Sequence, residues 1–374
     1  MLRYVSLALA VLGGLLLASA PAQTRPQPQP LLDCAGRDAP FSIDSPFVDV
    51  LLNPVARKTA EEALGQDFSK GPPIFVATKP PTFGAIVTLK EAAGFLGGDA
   101  KALPALDAKL RALPVTRADK VARCARYDND RPVFKLAKGK RVHLLMFEKI
   151  NGFRDSPSVD AAHAAITAMA RRNGWDLIVT DKGGAFNPAT LRQFDAVIWN
   201  NISGDVLTLG QRAAFKAYIE QGGGFVAMHG SAGDPVYFWD WYVDKLIGAR
   251  FIGHPTQPQF QEARIRVNGA HPLAKGLPTE WRMTDEWYSF RTNPRSVGAN
   301  VLLTLDESSY TRVSQFASNI DMGSDHPLAW TNCVGKGRMF YSAIGHMPET
   351  YSQPQAAQVL ENGIGWVASN RPCR

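Results

Sequence analysis

From Lys140 onward short apolar runs alternate with amphipathic stretches, and this alternation restricts the chain to a parallel sheet covered by helices on both faces. Strands are predicted at 142–147, 176–180, 196–200 and 224–228, with helices at 158–172 and 208–221 between them. Thr208 and Gln211 form a capping box at the start of the second helix, and Gly222 closes it. Asp234-Pro235 is expected to begin a further helix. Beyond His254 the pattern becomes strand-rich (262–267, 281–290, 300–305, 328–333 and 338–344) and ends in a helix over 355–369. The expectation is one α/β domain of flavodoxin-like type over residues 138–370.

What precedes this domain differs in character. Arg3, an apolar run from Tyr4 to Ala18 and the small residues Ala20-Pro21-Ala22 read as a secretory signal peptide over 1–22. The run is short for a bilayer span, so a retained anchor is the weaker reading and no transmembrane segment is expected after cleavage. Residues 23–32 are a Pro/Gln-rich linker, and 33–132 read as a small, mainly helical domain of unassigned role. Ser45-Pro46 and Asn53-Pro54 mark helix starts, Thr88 and Glu91 form a capping box, and Leu103, Leu106, Leu110 and Leu113 recur at helical spacing as a core stripe. If the boundary is real, a chain beginning near Arg131 should fold by itself.

Export makes the four cysteines legible, because an oxidising compartment favours disulfides; the protein is expected to be periplasmic or secreted. Three pairings are possible, of which Cys34 with Cys124 and Cys333 with Cys373 is favoured, with four buried thiols as the alternative. Positive charge is local, since twelve Lys/Arg against four Asp give residues 101–141 a net +8. A solvated helix face is the default for such a stretch, docking on an acidic partner or surface is the functional alternative, and nucleic acid is not expected for an exported protein.

Five of the seven histidines (His229, His254, His271, His326 and His346) lie in the second half, beside Gly, Pro or acidic residues where strands end. Ligands in such sheets collect at the carboxyl ends of the strands, which singles out Phe153-Arg154-Asp155, Asn200-Asn201, His229, His346 and Glu349. Any one such residue is more often a turn-former, and only their convergence argues for a site. No HExxH or CxxC spacing is present, so no cofactor is required, although His229, His254 and His346 are candidate ligands for a divalent metal such as zinc. His271 reads as structural, and His143 and His163 lie in a strand and a helix.

The segments NGFRDS, FDAVIWNNISGD, AFKAYIEQGGGFVAMHG, FIGHP, HPLAKGLP, TDEWYSFRTNPR, DHPLAWT and GKGRMFYSAIGHMPETYS together resemble the ThuA-like (trehalose utilisation) domain. That family has the class I glutamine amidotransferase-like fold. The resemblance implies a role in disaccharide or keto-sugar metabolism, with a small carbohydrate as partner. His229 stands at the elbow where amidotransferases carry cysteine, and His346-Met347-Pro348-Glu349 resembles their His-Pro-Glu, so no amidotransferase activity is expected. Asp155 stands where the family commonly has histidine. The assignment that follows gives catalytic roles to His229, His346, Asp285, Glu286 and Glu349. Substrate contacts fall to Phe153, Arg154, Asp155, Asn201, His254, Tyr288, Arg291, Asp325 and His326. Lyase, isomerase or hydrolase chemistry on a keto-sugar or glycoside is the first reading. A non-catalytic carbohydrate-binding or accessory protein, and a peptidase or amidase using Ser231, are the alternatives.

Overall fold

The computed structural model describes residues 31–369 and 373; the expected signal peptide over 1–22 and most of the expected linker over 23–32 lie outside the described residues. Eleven strands are present: β1 His143–Phe147, β2 Asp176–Thr180, β3 Ala196–Trp199, β4 Gly224–Met228, β5 Phe251–Gly253, β6 Phe260–Val267, β7 Glu280–Glu286, β8 Ser289–Phe290, β9 Asn300–Asp306, β10 Pro327–Val334 and β11 Gly337–Ser342. Nine of them form one sheet in the order β2-β1-β3-β4-β11-β10-β9-β6-β7, and β5 pairs with β8.

The first five strands of that order run parallel, as the alternation predicts. The other four form an antiparallel wing, which departs from the expected all-parallel sheet. The reason is connection length: the turn from Val334 to Gly337 is too short for a crossover helix, so β10 and β11 close as a hairpin. The long run expected at 281–290 also breaks, leaving Trp287 and Tyr288 between β7 and β8.

Helix boundaries follow local chemistry. Ser156–Asn173 opens at Asp155, whose carboxylate accepts the Ser158 N–H, and closes at Gly174 in the left-handed region. Leu209–Glu220 carries the predicted Thr208/Gln211 capping box, and Pro354–Val367 packs as the C-terminal helix. Two expectations fail. Asp234 starts no helix; it accepts from Ser203 Oγ and the Gly204 N–H, and the next helical segment is a π-helix at Trp241–Ile247. Ser45 does not cap Phe47–Leu52, because its hydroxyl is taken by the Ser42 N–H.

The N-terminal region is helical, with its own core of Phe41, Phe47, Phe68, Leu89, Leu106 and Leu110. Both favoured disulfides are present, Cys34–Cys124 and Cys333–Cys373. The region belongs to one compact unit with the sheet, spanning residues 31–374. Polar contacts tie the two: the Asp128 carboxylate accepts from Lys149 Nζ and from the Gly183 and Gly184 N–H groups, and Tyr127 donates to Asp205. The basic stretch is partly spent internally, since Arg126 is buried against Asp49 and Arg123 donates to the carbonyls of Gly36, Arg37 and Ala39. Among the described residues no helix is long and apolar enough to cross a membrane.

Candidate functional site

The chain leaves β4 through a tight turn in which His229 adopts φ +32°, a conformation that side chains with a Cβ rarely take. Asn201, also at positive φ (+50°), supports this turn by accepting the Gly230 N–H and donating to Tyr351 Oη. The His229 ring stacks on Tyr288 with centroids 4.0 Å apart. Its Nδ1 lies 2.7 Å from the Ala343 carbonyl, which can only accept, so Nδ1 carries the proton and Nε2 points inward.

Three side-chain atoms meet at that inward face. His229 Nε2 is 3.1 Å from His346 Nδ1 and 3.3 Å from Glu286 Oε2, and His346 Nδ1 is 3.0 Å from the same carboxylate oxygen. Glu286 is 2% exposed and His229 4%, whereas the His346 side chain keeps 15% exposure. Burial raises the affinity of the Glu286 carboxyl for a proton, but the imidazoles of His229 and His346 beside it outweigh this and hold the group well below the usual carboxylate range. Burial likewise works against a charged His346; Glu286, with smaller help from Asp155 and Asp285, reverses this and raises its pKa. The other oxygen, Glu286 Oε1, accepts from Gln259 Nε2 and lies 3.3 Å from His254 Nδ1.

Asp285 is completely buried and faces the backbone of the loop after β11. Its carboxylate accepts the N–H groups of Gly345, His346 and Met347 and the Thr350 hydroxyl, so it fixes the loop after β11 and not the imidazole. Burial pushes its pKa up, against the positive potential of His229 and these donors. Gly345 sits at φ +141°, and a Cβ there would come within 2.4 Å of Tyr351 Oη, so the loop requires glycine. From the other side, Ser158 Oγ bridges the Asp155 carboxylate and the His346 carbonyl.

The remaining predicted residues divide sharply. Phe153 and His254 reach the cluster, with the Phe153 ring 6.4 Å from that of His346. Arg154 lies beside the loop, where it bonds Ser156 and pairs with Asp160. Tyr288, expected as a substrate contact, is a floor under His229, on which it stacks at 6% exposure. His326 is fully buried and supports that floor, contacting Glu307 Oε1 at 2.9 Å and the Tyr288 carbonyl at 2.8 Å. Asp325 pairs with Arg295, Arg291 is exposed, and Glu349 is exposed with only its carbonyl engaged, by Ser352; none of the three touches the cluster. Ser231 is buried between Trp199 O and the Ile202 N–H, which removes it as a nucleophile. His271 caps a short turn, and burial lowers its pKa to about 4, consistent with a structural neutral imidazole.

Residues that the sequence did not single out complete the surroundings. Ring contacts run from Phe153 through Phe83, Phe75, Phe95 and Phe316 to His254, with centroids 4.9 to 6.4 Å apart. Phe260 adds a ring 5.1 Å from His346. Three of these rings come from the helical region. Phe95, Phe260 and Phe316, at 43%, 41% and 62% exposure, are the exposed large aromatic residues among those described, and all stand on this rim. No local spacing in the sequence marks them, because Phe95 ends a helix, Phe260 begins a strand and Phe316 lies in a loop.

Residues 143–367 match the family model ThuA, described as trehalose utilisation. The chain belongs to the ThuA family. A ThuA-like protein from Bacteroides uniformis is similar in structure, with a TM-score of 0.53 and 26% identity over 64% of this chain and 95% of its own. Another, from Parabacteroides merdae, aligns at 17% identity and a TM-score of 0.47, covering 63% of this chain and 92% of its own. No curated protein matches the chain. The cluster lies wholly inside the ThuA match, whereas Phe75, Phe83 and Phe95 lie outside it. All four cysteines are in disulfides, so this ThuA-family chain has no thiol for amidotransferase chemistry.

Proposed function

We propose that the protein is an exported catalyst of carbohydrate breakdown that acts on a sugar oxidised to a ketone at one carbon. The single observation that carries this reading is the convergence of His229, Glu286 and His346 beneath an aromatic rim. ThuA membership supports the carbohydrate class, and the two disulfides support an oxidising compartment.

A ketone acidifies the C–H beside it. Removing that proton needs a base at the carbon and positive charge at the carbonyl oxygen, where the electron pair arrives. The cluster would supply the positive charge, as an imidazolium or, were a cation held by the same side chains, as a Lewis acid. We assign His254 as the base: its Nδ1 lies 2.7 Å from the Pro255 carbonyl, which supports a proton there and a lone pair on Nε2. Reprotonation on the other face isomerises the sugar. If the glycosidic oxygen is attached to the next carbon, its departure with a proton cleaves the disaccharide and leaves a conjugated enone. The rim would stack on the sugar faces.

The test is solvent deuterium exchange. Incubation of an oxidised disaccharide with the protein in D2O should introduce deuterium beside the ketone or cleave the glycoside, read by NMR and mass spectrometry, with the unoxidised disaccharide unchanged. Binding of the sugar with neither exchange nor cleavage would assign the protein to the non-catalytic carbohydrate-binding class instead.

A further inference from the structure

The cluster contains a contradiction in proton count that points beyond acid/base chemistry. His229 Nδ1 donates to the Ala343 carbonyl, so its Nε2 presents a lone pair. The Glu286 carboxylate oxygens present lone pairs as well. Of the three atoms that meet, only His346 Nδ1 has a proton to offer in the neutral state. One proton cannot satisfy three contacts of 3.1, 3.3 and 3.0 Å, and the 3.3 Å approach of His229 Nε2 to Glu286 Oε2 sets lone pair against lone pair.

A cation at the centre removes the conflict, because all three atoms then face it as donors. Metal–nitrogen and metal–oxygen bonds of roughly 2.0–2.2 Å place neighbouring ligand atoms about 2.9–3.5 Å apart, depending on whether the geometry is octahedral or tetrahedral. All three observed separations fall in that window. The supporting contacts are those that metal-binding side chains need: the Ala343 carbonyl fixes the His229 tautomer, and Gln259 holds Glu286 Oε1 so that Oε2 turns to the centre. His229, Glu286 and His346 also form a group whose ligand atoms all lie within 4.8 Å of one another.

We propose that His229 Nε2, His346 Nδ1 and Glu286 Oε2 bind one divalent first-row transition-metal ion. Two imidazoles and one carboxylate select such an ion over Mg2+ or Ca2+, which favour all-oxygen sites. Three protein ligands leave coordination positions open for water or a substrate oxygen. His254 stands apart from this group of three, its Nδ1 facing the Pro255 carbonyl and the other carboxylate oxygen, Glu286 Oε1. The inference rests on the cluster's geometry and stands apart from the sugar reading.

The test uses full-length, tag-free protein stripped with a chelator and titrated with Zn2+ and Co2+ by calorimetry, with bound metal counted by elemental analysis after gel filtration. The expected result is one ion per chain, a Co2+ visible spectrum typical of mixed nitrogen and oxygen ligands, and no stoichiometric Mg2+. Glu286→Gln keeps the side-chain shape, and His346→Ala removes the most exposed ligand; each should weaken binding by about 100-fold or more, beyond the ~10–100-fold typical of lost outer-shell partners. His163→Gln, on an exposed helix face, should bind as wild type. Absence of stoichiometric binding by the wild type, or unchanged binding in both ligand variants with native circular dichroism, would overturn the proposal. Should Glu286→Gln fail to fold, His346→Ala decides alone. Metal binding without sugar turnover would sink only the sugar reading, and turnover by a wild type that takes up no stoichiometric ion would sink only this one.

Discussion

At the scale of single residues, the site depends on carboxylates whose surroundings give them different work. Asp285 and Glu286 are neighbours in sequence, yet the first gathers backbone N–H groups while the second faces two imidazoles. Asp285→Asn replaces one acceptor oxygen with a donor among three backbone N–H groups and a hydroxyl, which should lower stability by roughly 2–5 kcal/mol and displace His346; chemical denaturation checks the first. Asp234 offers a pH test. Burial pushes its carboxyl up to about 7 from 3.8, against the hydrogen bonds from Ser203 and Gly204. The folded state therefore holds a proton that the unfolded state has lost between these values. Stability from this group is fully present below about pH 4 and is lost as pH rises to about 7. Asp234→Asn should flatten that fall, by a few kcal/mol at most, and an unchanged slope in denaturation from pH 5 to 8 would contradict the assignment.

At the scale of elements, the parallel half of the sheet was legible because its strands are apolar runs separated by capped helices. The capping boxes at Thr88 and Thr208 and the Asn53 cap stand where the sequence places them. The antiparallel wing was harder, since strand spacing does not reveal direction until the hairpin at Val334–Gly337 is seen. The site was legible as a set of strand ends, and His229, Glu286 and His346 do meet. Their division of labour was not, because it depends on which face of the break after β7 each of Asp285 and Glu286 takes. Asp325, His326 and Glu349 also looked like site residues by position, but hydrogen bonding turned them to support or to solvent. The C-terminal helix has a covalent fastening in Cys333–Cys373. Replacing both cysteines with Ala should cost about 2–5 kcal/mol and raise hydrogen exchange first in Pro354–Val367. Exchange rising equally in the helical region would count against that localisation.

At the scale of the whole molecule, the helical region is a wall of the site as well as a neighbour of the sheet. Asp128 neutralises two backbone N–H groups and Lys149 of the α/β part, and the carbonyl of Asp130 lies where a Cβ of Gly184 would have to go. This seam reverses the expectation of a self-sufficient α/β domain. A chain beginning at Arg131 should be soluble only as an expanded state that binds a hydrophobic dye, and a sharp, native-like melting transition would contradict the seam's importance. Phe95→Ala and Phe316→Ala, exposed on the rim, should leave the melting temperature within a few degrees while raising KM for a sugar substrate several-fold. The central claim is that the histidine and glutamate cluster is the reaction centre for an oxidised sugar. It is tested most directly by following conversion of an oxidised disaccharide by mass spectrometry with full-length wild type and Glu286→Gln, both confirmed as folded. The account predicts conversion by the wild type, none of the unoxidised sugar, and a rate about 100-fold lower or worse in the variant. Equal rates in the two proteins, or no conversion by the wild type, would contradict it.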